Sequence, residues 1–246
     1  MELEITGRKE EVRRLFLDIV IPCLNEAKNL SLLLPHLLTS PKKQLPASIY
    51  IADSPLSNQA QTIPLDNKNI FYVKCSQTGR AQQMNEAAQL GDGEVILFLH
   101  ADVTPPTDYI SHIKKVVEDG YEAGFFCYQF DPSNQLLNIN AATTKSANIF
   151  SGGGDQCQFM TRKLFEKLGG YNEHYCIMED FEMYDRWRRL GIEFKIIQEP
   201  ALVSSRKYKK NNYLKVNLIN GLTLLQYKCG RSPQKLKQFY SKFLNS

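Results

Sequence analysis

The stretch that decides the fold is GRAQQMNEAAQLGDGEVILFLHAD, Gly79 to Asp102. It opens as a polar helix start carrying Gly79, Arg80 and Asn85, then passes into an apolar run from Glu94 to Leu99. That run stops on His100 and Asp102, just ahead of Pro105 and Pro106. A buried strand that ends on a carboxylate sets the carboxylate at the carboxyl edge of a sheet, where open α/β sheets take their ligands. The helix start adds unsatisfied N–H groups and an arginine fork, both suited to phosphate oxygens. Together these features predict a site for a metal-bound diphosphate.

Apolar runs and helical patterns alternate on either side of this stretch. FLDIVI (Phe16 to Ile21) reads as a strand broken by Pro22, and Asn25 can cap a helix from Ala27 to Leu38 that Pro41 and Pro46 close off. SIYIA (Ser48 to Ala52) is a second strand, ending at Asp53, and Ile70 to Lys74 a third. Helices follow over Arg80 to Leu90 and Asp108 to Glu118. Such short alternation implies an α/β fold with a mainly parallel sheet. Beyond Gly124 the pattern changes: Leu136 to Phe150 reads as an amphipathic helix, SGGGDQCQFM as a glycine-rich loop, Arg162 to Leu168 and Asp180 to Leu190 as helices, and Phe194 to Ile197 as a last short strand. Two helices, Tyr213 to Tyr227 and Pro233 to Leu244, complete the chain. The expected division is one domain over residues 1–210 with a helical extension over 211–246.

Composition sets limits. With 43% hydrophobic and 23% charged residues in 246, the chain has the make-up of a globular protein. No run approaches the roughly 18 to 20 apolar residues of a membrane span. The charged N-terminus lacks the apolar core of a signal peptide. Six cysteines without a CxxC pair read as reduced, mostly buried thiols of a cytoplasmic protein. The net charge of +4 is unevenly spread: residues 201–246 hold ten Lys or Arg and no acid, while the first 200 hold twenty basic and twenty-six acidic groups. A basic tail on an acidic body suits an anionic partner, either phosphate groups or an acidic membrane face. A solvated helical face explains it equally well. No nucleic-acid-binding motif accompanies the charge, so nucleic acid is not expected as a partner.

Four sets of residues can carry chemistry. Pro22, Asn25 and Glu26 follow the first strand and Asp53 the second, where a nucleotide would lie across the sheet; capping and turn formation are the plainer roles for Asn25 and Asp53. Gly79, Arg80 and Asn85 form the anion-facing helix start. Asp102 and His100 can serve Mg²⁺ or Mn²⁺, since carboxylate oxygen suits both and imidazole suits Mn²⁺. Glu179 and Asp180 open a helix pointing in different directions, so one can act as general base while the other orients the loop. Asp155 can reach the acceptor, and Arg206 in RKYKK can close over a departing diphosphate.

With these residues in hand, the chain resembles a family 2 glycosyltransferase of the GT-A fold over about residues 16–210. The resemblance rests on IVIPCLNEAKNL, GRAQQMNEAA, VILFLHAD and TRKLFEKLGGYNEHYCIMEDFEMYDRWRRLG. GRAQQMN, LFLHAD, GDQ and MED also resemble a small bacterial subfamily encoded beside radical SAM proteins and linked to arsenosugar biosynthesis. The resemblance implies that Pro22, Asn25, Glu26 and Asp53 hold the nucleotide, with Arg80 near the diphosphate. It implies that Asp102 is the last acid of the family's DxD metal motif and that Asp180 is the catalytic base. The GDQ marker makes Asp155 and Gln156 acceptor contacts. Two departures stand out: His100 replaces the first acid of DxD, and DSPLSNQA replaces the usual DGGSTD run after Asp53.

The implied activity is inverting, metal-dependent transfer of a sugar from a nucleoside diphosphate donor to a small or lipid-linked acceptor. The expected location is cytoplasmic, with peripheral inner-membrane contact and a homodimer both left open. Two rivals remain. A nucleotidyltransferase would open with a glycine-rich basic loop after the first strand, which IPCLNEAKN is not. A non-catalytic nucleotide-sugar-binding module would keep the fold without the chemistry: His100 and the altered loop after Asp53 favour it, and intact Asp102, Glu179 and Asp180 count against it.

Overall fold

A computed structural model of the protein describes residues 17–39, 47–57 and 67–244. Phe16, Pro41, Pro46 and the charged N-terminus lie outside the described residues. The elements run β1 (Leu17–Cys23), α1 (Ala27–Leu38), β2 (Ala47–Asp53), β3 (Ile70–Lys74), α2 (Arg80–Ala88), β4 (Val95–Phe98), β5 (Val103–Thr104) and α3 (Tyr109–Glu118). After these come β6 (Ala123–Asp131), α4 (Gln135–Ala142), β7 (Phe159–Thr161), α5 (Arg162–Lys167), α6 (Glu179–Arg189), β8 (Phe194–Ser204), α7 (Arg206–Lys210), α8 (Tyr213–Lys228) and α9 (Pro233–Phe243).

The strands form one eight-stranded sheet in the order β3-β2-β1-β4-β7-β6-β8-β5. The β3–β2, β2–β1, β1–β4 and β6–β8 pairings are parallel, while β7 is antiparallel to both neighbours and β5 to β8. Strands β1 and β4 are buried along their whole length because helices cover both faces of the sheet. Alternate side chains feed two cores: Ile19, Ile21 and Leu97 pack under α1 and α3, whereas Val20, Ile96 and Phe98 pack under α2, α5 and α6. Leu30, Leu33, Leu34 and Leu37 make the buried face of α1. Each such leucine contributes on the order of 1.5–3 kcal/mol.

Four expectations are corrected. Strand β1 runs through Pro22, which pairs in register with Ala52. The β1–β4 pairing has already ended at Val20–Phe98, so the N–H that proline lacks is not needed on that side. Asn25 does not cap α1; Glu26 holds the cap position without a side-chain cap, and Asn25 has φ of 58°. The helix expected over Leu136 to Phe150 stops at Ala142. There Thr143 and Thr144 turn their hydroxyls onto the carbonyls of Asn140 and Ala141, each at 2.7 Å, in competition with the helical ladder. Finally, β8 is much longer than Phe194 to Ile197. Its register with β6 shifts between Phe126 and Tyr128, and Pro200 falls in that irregular stretch, where a missing donor is tolerated.

The C-terminal helices pack back onto the domain. Leu224, Tyr227 and Leu236 form a small core with Tyr175, Ile177, Met178 and Phe181, so α8 and α9 brace the segment that leads into α6.

Candidate active site

The carboxyl edges of β1 and β2 come together through one side chain. The Gln83 amide donates to the carbonyls of Cys23 at 2.9 Å and Ala52 at 2.6 Å, tying both strand ends to α2. Asp53, in register with Cys23, is fully buried. One of its oxygens accepts from the Tyr72 hydroxyl and from Lys74 Nζ, the latter at 3.0 Å. Its Oδ1 is buried and has no hydrogen-bond partner among the described residues. Lys74 also donates to the carbonyls of Ser54 and Ser57, at 2.8 and 2.7 Å, and so fixes the DSPLS loop. Sequence reasoning missed Tyr72 and Lys74. The signal lay in the i, i+2 spacing of two polar ends on β3, which puts both on one face of the strand.

Helix α2 opens at Gly79, whose φ of 128° is a conformation that favours glycine. Arg80 then reaches across to α6, where its Nη1 lies 3.2 Å from Glu179 Oε1. Glu179 is the first cause of the upward shift of the guanidinium's pKa. Asn85 is corrected from the anion-binding set. Its amide donates to Tyr171 O at 2.9 Å and Glu173 Oε1 at 3.0 Å and accepts from Tyr171 N at 2.8 Å, clamping the GGYNE turn.

The acids at 179 and 180 point apart. Glu179 faces Arg80, whereas Asp180 Oδ2 lies 3.8 Å from His100 Nε2. His100 Nδ1 in turn lies 3.8 Å from Asp155 Oδ1. Burial and the neighbouring Glu179 push the Asp180 carboxyl up to about 7, against the pull of His100 and Arg80. Burial disfavours the charged form of His100, but Asp155 and Asp180 outweigh it and the imidazole is raised. Burial likewise opposes ionisation of Asp155, yet contact with His100 leaves its carboxyl lowered. Space here is tight: a Cβ on Gly154 would stand 2.1 Å from His100 Cε1 and 2.5 Å from Asp180 Oδ2. Only glycine lets the GGGDQ loop approach this closely.

Glu26, Asp102 and Arg206 complete the other side. Arg206 Nη2 lies 4.0 Å from Glu26 Oε1. Burial raises the Glu26 carboxyl, with the charges of Arg206, Asp102 and Arg80 acting on it as well. The charge of Arg80 also acts on His100, Asp155 and Asp180. One arginine therefore acts on both groups of acids, which lie within reach of the same charge.

Among the described residues, three that are not glycine have positive φ: Asn25 at 58°, Cys157 at 49° and Met178 at 68°. They stand next to Glu26, Gln156 and Glu179 in turn, and strain of this kind concentrates where a structure fixes functional groups. Nothing in the local sequence signalled it.

Gln156 is buried: its Oε1 accepts from Gly152 N at 2.8 Å and its amide donates to Phe126 O at 3.4 Å. Both ring nitrogens of His100 face carboxylates, those of Asp155 and Asp180, at 3.8 Å. Among the described residues no three His, Cys, Asp or Glu side chains are grouped to hold a metal ion. Asp102, half-buried, remains as a single carboxylate. Such a donor set fits a divalent cation that shares its coordination with a bound diphosphate.

The family model described as "Glycosyl transferase family 2" matches residues 18–184. The succinoglycan biosynthesis protein ExoA of Rhizobium meliloti (strain 1021) is 25% identical over 207 residues, covering 75% of this chain and 62% of that protein. The chain thus spans less than two thirds of that relative's length. Among solved structures, TarS of S. aureus in complex with UDP superposes with a TM-score of 0.61 at 13% identity, over 93% of this chain and 70% of that one. The mannosyltransferase PcManGT of Pyrobaculum calidifontis, in complex with GDP-Man and Mn²⁺, gives 0.64 at 17% identity, over 94% and 69%. The fold is GT-A-like: a curled mixed sheet flanked by helices.

Proposed function

The chain belongs to glycosyl transferase family 2, and on that premise we propose that it moves a sugar from a nucleoside diphosphate donor to an acceptor hydroxyl with inversion. The observation that carries the proposal is Asp180: buried at the start of α6, raised to about 7, and left to His100 and Arg80 for compensation at a distance. A carboxylate in that condition takes a proton readily near neutral pH. Asp180 removes the proton of the acceptor hydroxyl, the oxygen bonds to the anomeric carbon, and the bond from that carbon to the diphosphate breaks. Arg80 and Arg206 face the departing phosphates, and Asp53 Oδ1, buried and without a hydrogen-bond partner among the described residues, accepts from a donor group on the nucleoside. A divalent cation, Mg²⁺ or Mn²⁺ with Asp102 as its protein carboxylate, would supply positive charge against the diphosphate. Glu179 holds Arg80 in place, and Asp155 faces the acceptor beside His100.

TarS with UDP-GlcNAc and PcManGT with GDP-Man support a nucleoside diphosphate sugar as the donor class. GRAQQMN, LFLHAD, GDQ and MED favour the subfamily linked to arsenosugar biosynthesis. The acceptor is a small or lipid-linked alcohol. We place the protein in the cytoplasm, its basic C-terminal region available to an anionic surface or a second subunit. The test is calorimetry with UDP, GDP and their sugars, with and without Mn²⁺, followed by donor hydrolysis. Binding of one nucleoside diphosphate strengthened by Mn²⁺, with slow release of free sugar, is the expected result. Binding without any hydrolysis or transfer would favour a non-catalytic module, and no binding at all would reject the proposal.

A further inference from the structure

Helix α8 is apolar on two faces. Its inner face, including Val216, Ile219, Leu224 and Tyr227, is buried against α9 and the segment before α6. Its outer face carries Leu214, Leu218, Leu222 and Leu225, exposed by 73, 62, 37 and 59%. Steps of four, four and three residues keep these leucines within a single stripe along the helix. Helix α4 extends the surface. The Tyr213 hydroxyl donates to the Leu136 carbonyl and the Asn140 amide donates to Asn217, which brings exposed Leu136 and Ile139 alongside. A contiguous leucine stripe of this kind differs from the scattered apolar residues of an ordinary surface.

Charge chooses the occupant. Residues 201–246 hold ten Lys or Arg and no Asp or Glu. Lys215 borders the stripe, and Lys235, Lys237 and Lys242 are exposed on α9, the helix packed against α8. A second copy docking through this face would oppose two surfaces of the same sign. An anionic lipid surface offers hydrocarbon to the leucines and phosphate to the lysines. No helix among the described residues is long and apolar enough to cross a membrane, so the contact is a helix lying in the interface. We propose that α8 docks the protein on an anionic membrane surface, its leucine stripe at the boundary between headgroups and acyl chains. The proposal goes beyond sugar transfer and does not depend on it.

The test is co-sedimentation of the full chain with phosphatidylcholine vesicles, with and without phosphatidylglycerol, at low and high salt. Binding is expected only with phosphatidylglycerol and should weaken as salt rises. Leu218→Asp with Leu225→Asp should lower partitioning at least ~10-fold while leaving the thermal melt unchanged, because both positions are exposed. Lys235→Gln and Lys237→Gln should each lower it about fivefold. Failure to bind anionic vesicles, or equal binding by the leucine variant, overturns the proposal. So does a concentration-dependent dimer that the leucine variant abolishes.

Discussion

Asp18 and Asp180 are both buried carboxylates, one near the amino end of β1 and the other at the start of α6, beside His100 just past β4. Asp18 Oδ2 accepts from Gly93 N at 2.8 Å and from Arg162 Nη2 at 2.6 Å. The same guanidinium donates to the carbonyls of Gly93 and Ala88, at 2.7 and 2.8 Å. Burial pushes the Asp18 carboxyl up, and Gly93 and Arg162 pull it back. Among the described residues Asp180 has no such fork, only His100 at 3.8 Å and the more distant charge of Arg80. A carboxylate that is bonded directly holds the fold together, and on the proposed function the one compensated from a distance keeps its basicity for the acceptor proton.

Four experiments test that contrast. Asp180→Asn should cut turnover by about a hundredfold to ten-thousandfold with an unchanged melting curve; an active variant would show that the base lies elsewhere. Arg162→Ala leaves Asp18 buried without its cation and should cost about 3–5 kcal/mol of stability, read by urea unfolding. Where that variant stays folded, its turnover should match the parent, and a catalytic defect there would merge the two roles. Gly154→Ala drives a methyl into His100 and Asp180, and overpacking of this kind costs about 1–3 kcal/mol. The loss should appear in kcat more than in donor affinity. The gentlest test is pH. A base works deprotonated, so kcat should rise as pH rises through about 7, the position of the raised Asp180 carboxyl. Below that point it should fall about tenfold per unit. A profile flat between pH 5 and pH 8, a window about two units below and one above that value, would separate Asp180 from the rate-limiting proton transfer.

Much of the sheet and part of the cleft were legible from residue order alone. The fully apolar run at 95–98 reads as a strand covered on both faces, and Asp180 at the start of an amphipathic helix reads as an acid aimed at a cleft. Arg80 was legible as a basic helix start but not as the partner of Glu179, 99 residues away. His100 was legible as a polar residue just past the β4 strand, but its place between Asp155 and Asp180 was not. Gln156 is held by backbone groups, and Asn85 by the Tyr171 backbone and the Glu173 carboxylate, partners that no local pattern announced.

Local order is what periodicity records, since side-chain spacing along three or four residues already selects helix or strand and the face it buries. From that alone follow the alternating elements, the two-sided burial of the central strands, and the carboxylates at 53, 102 and 180 near strand ends or a helix start. The partner of each acid depends on crossovers tens of residues long, so only the folded chain decided that Asp53 is caged by Lys74, Asp18 locked by Arg162, and Asp180 left with a distant imidazole. Charge interactions act through space across those crossovers, and no local pattern records them.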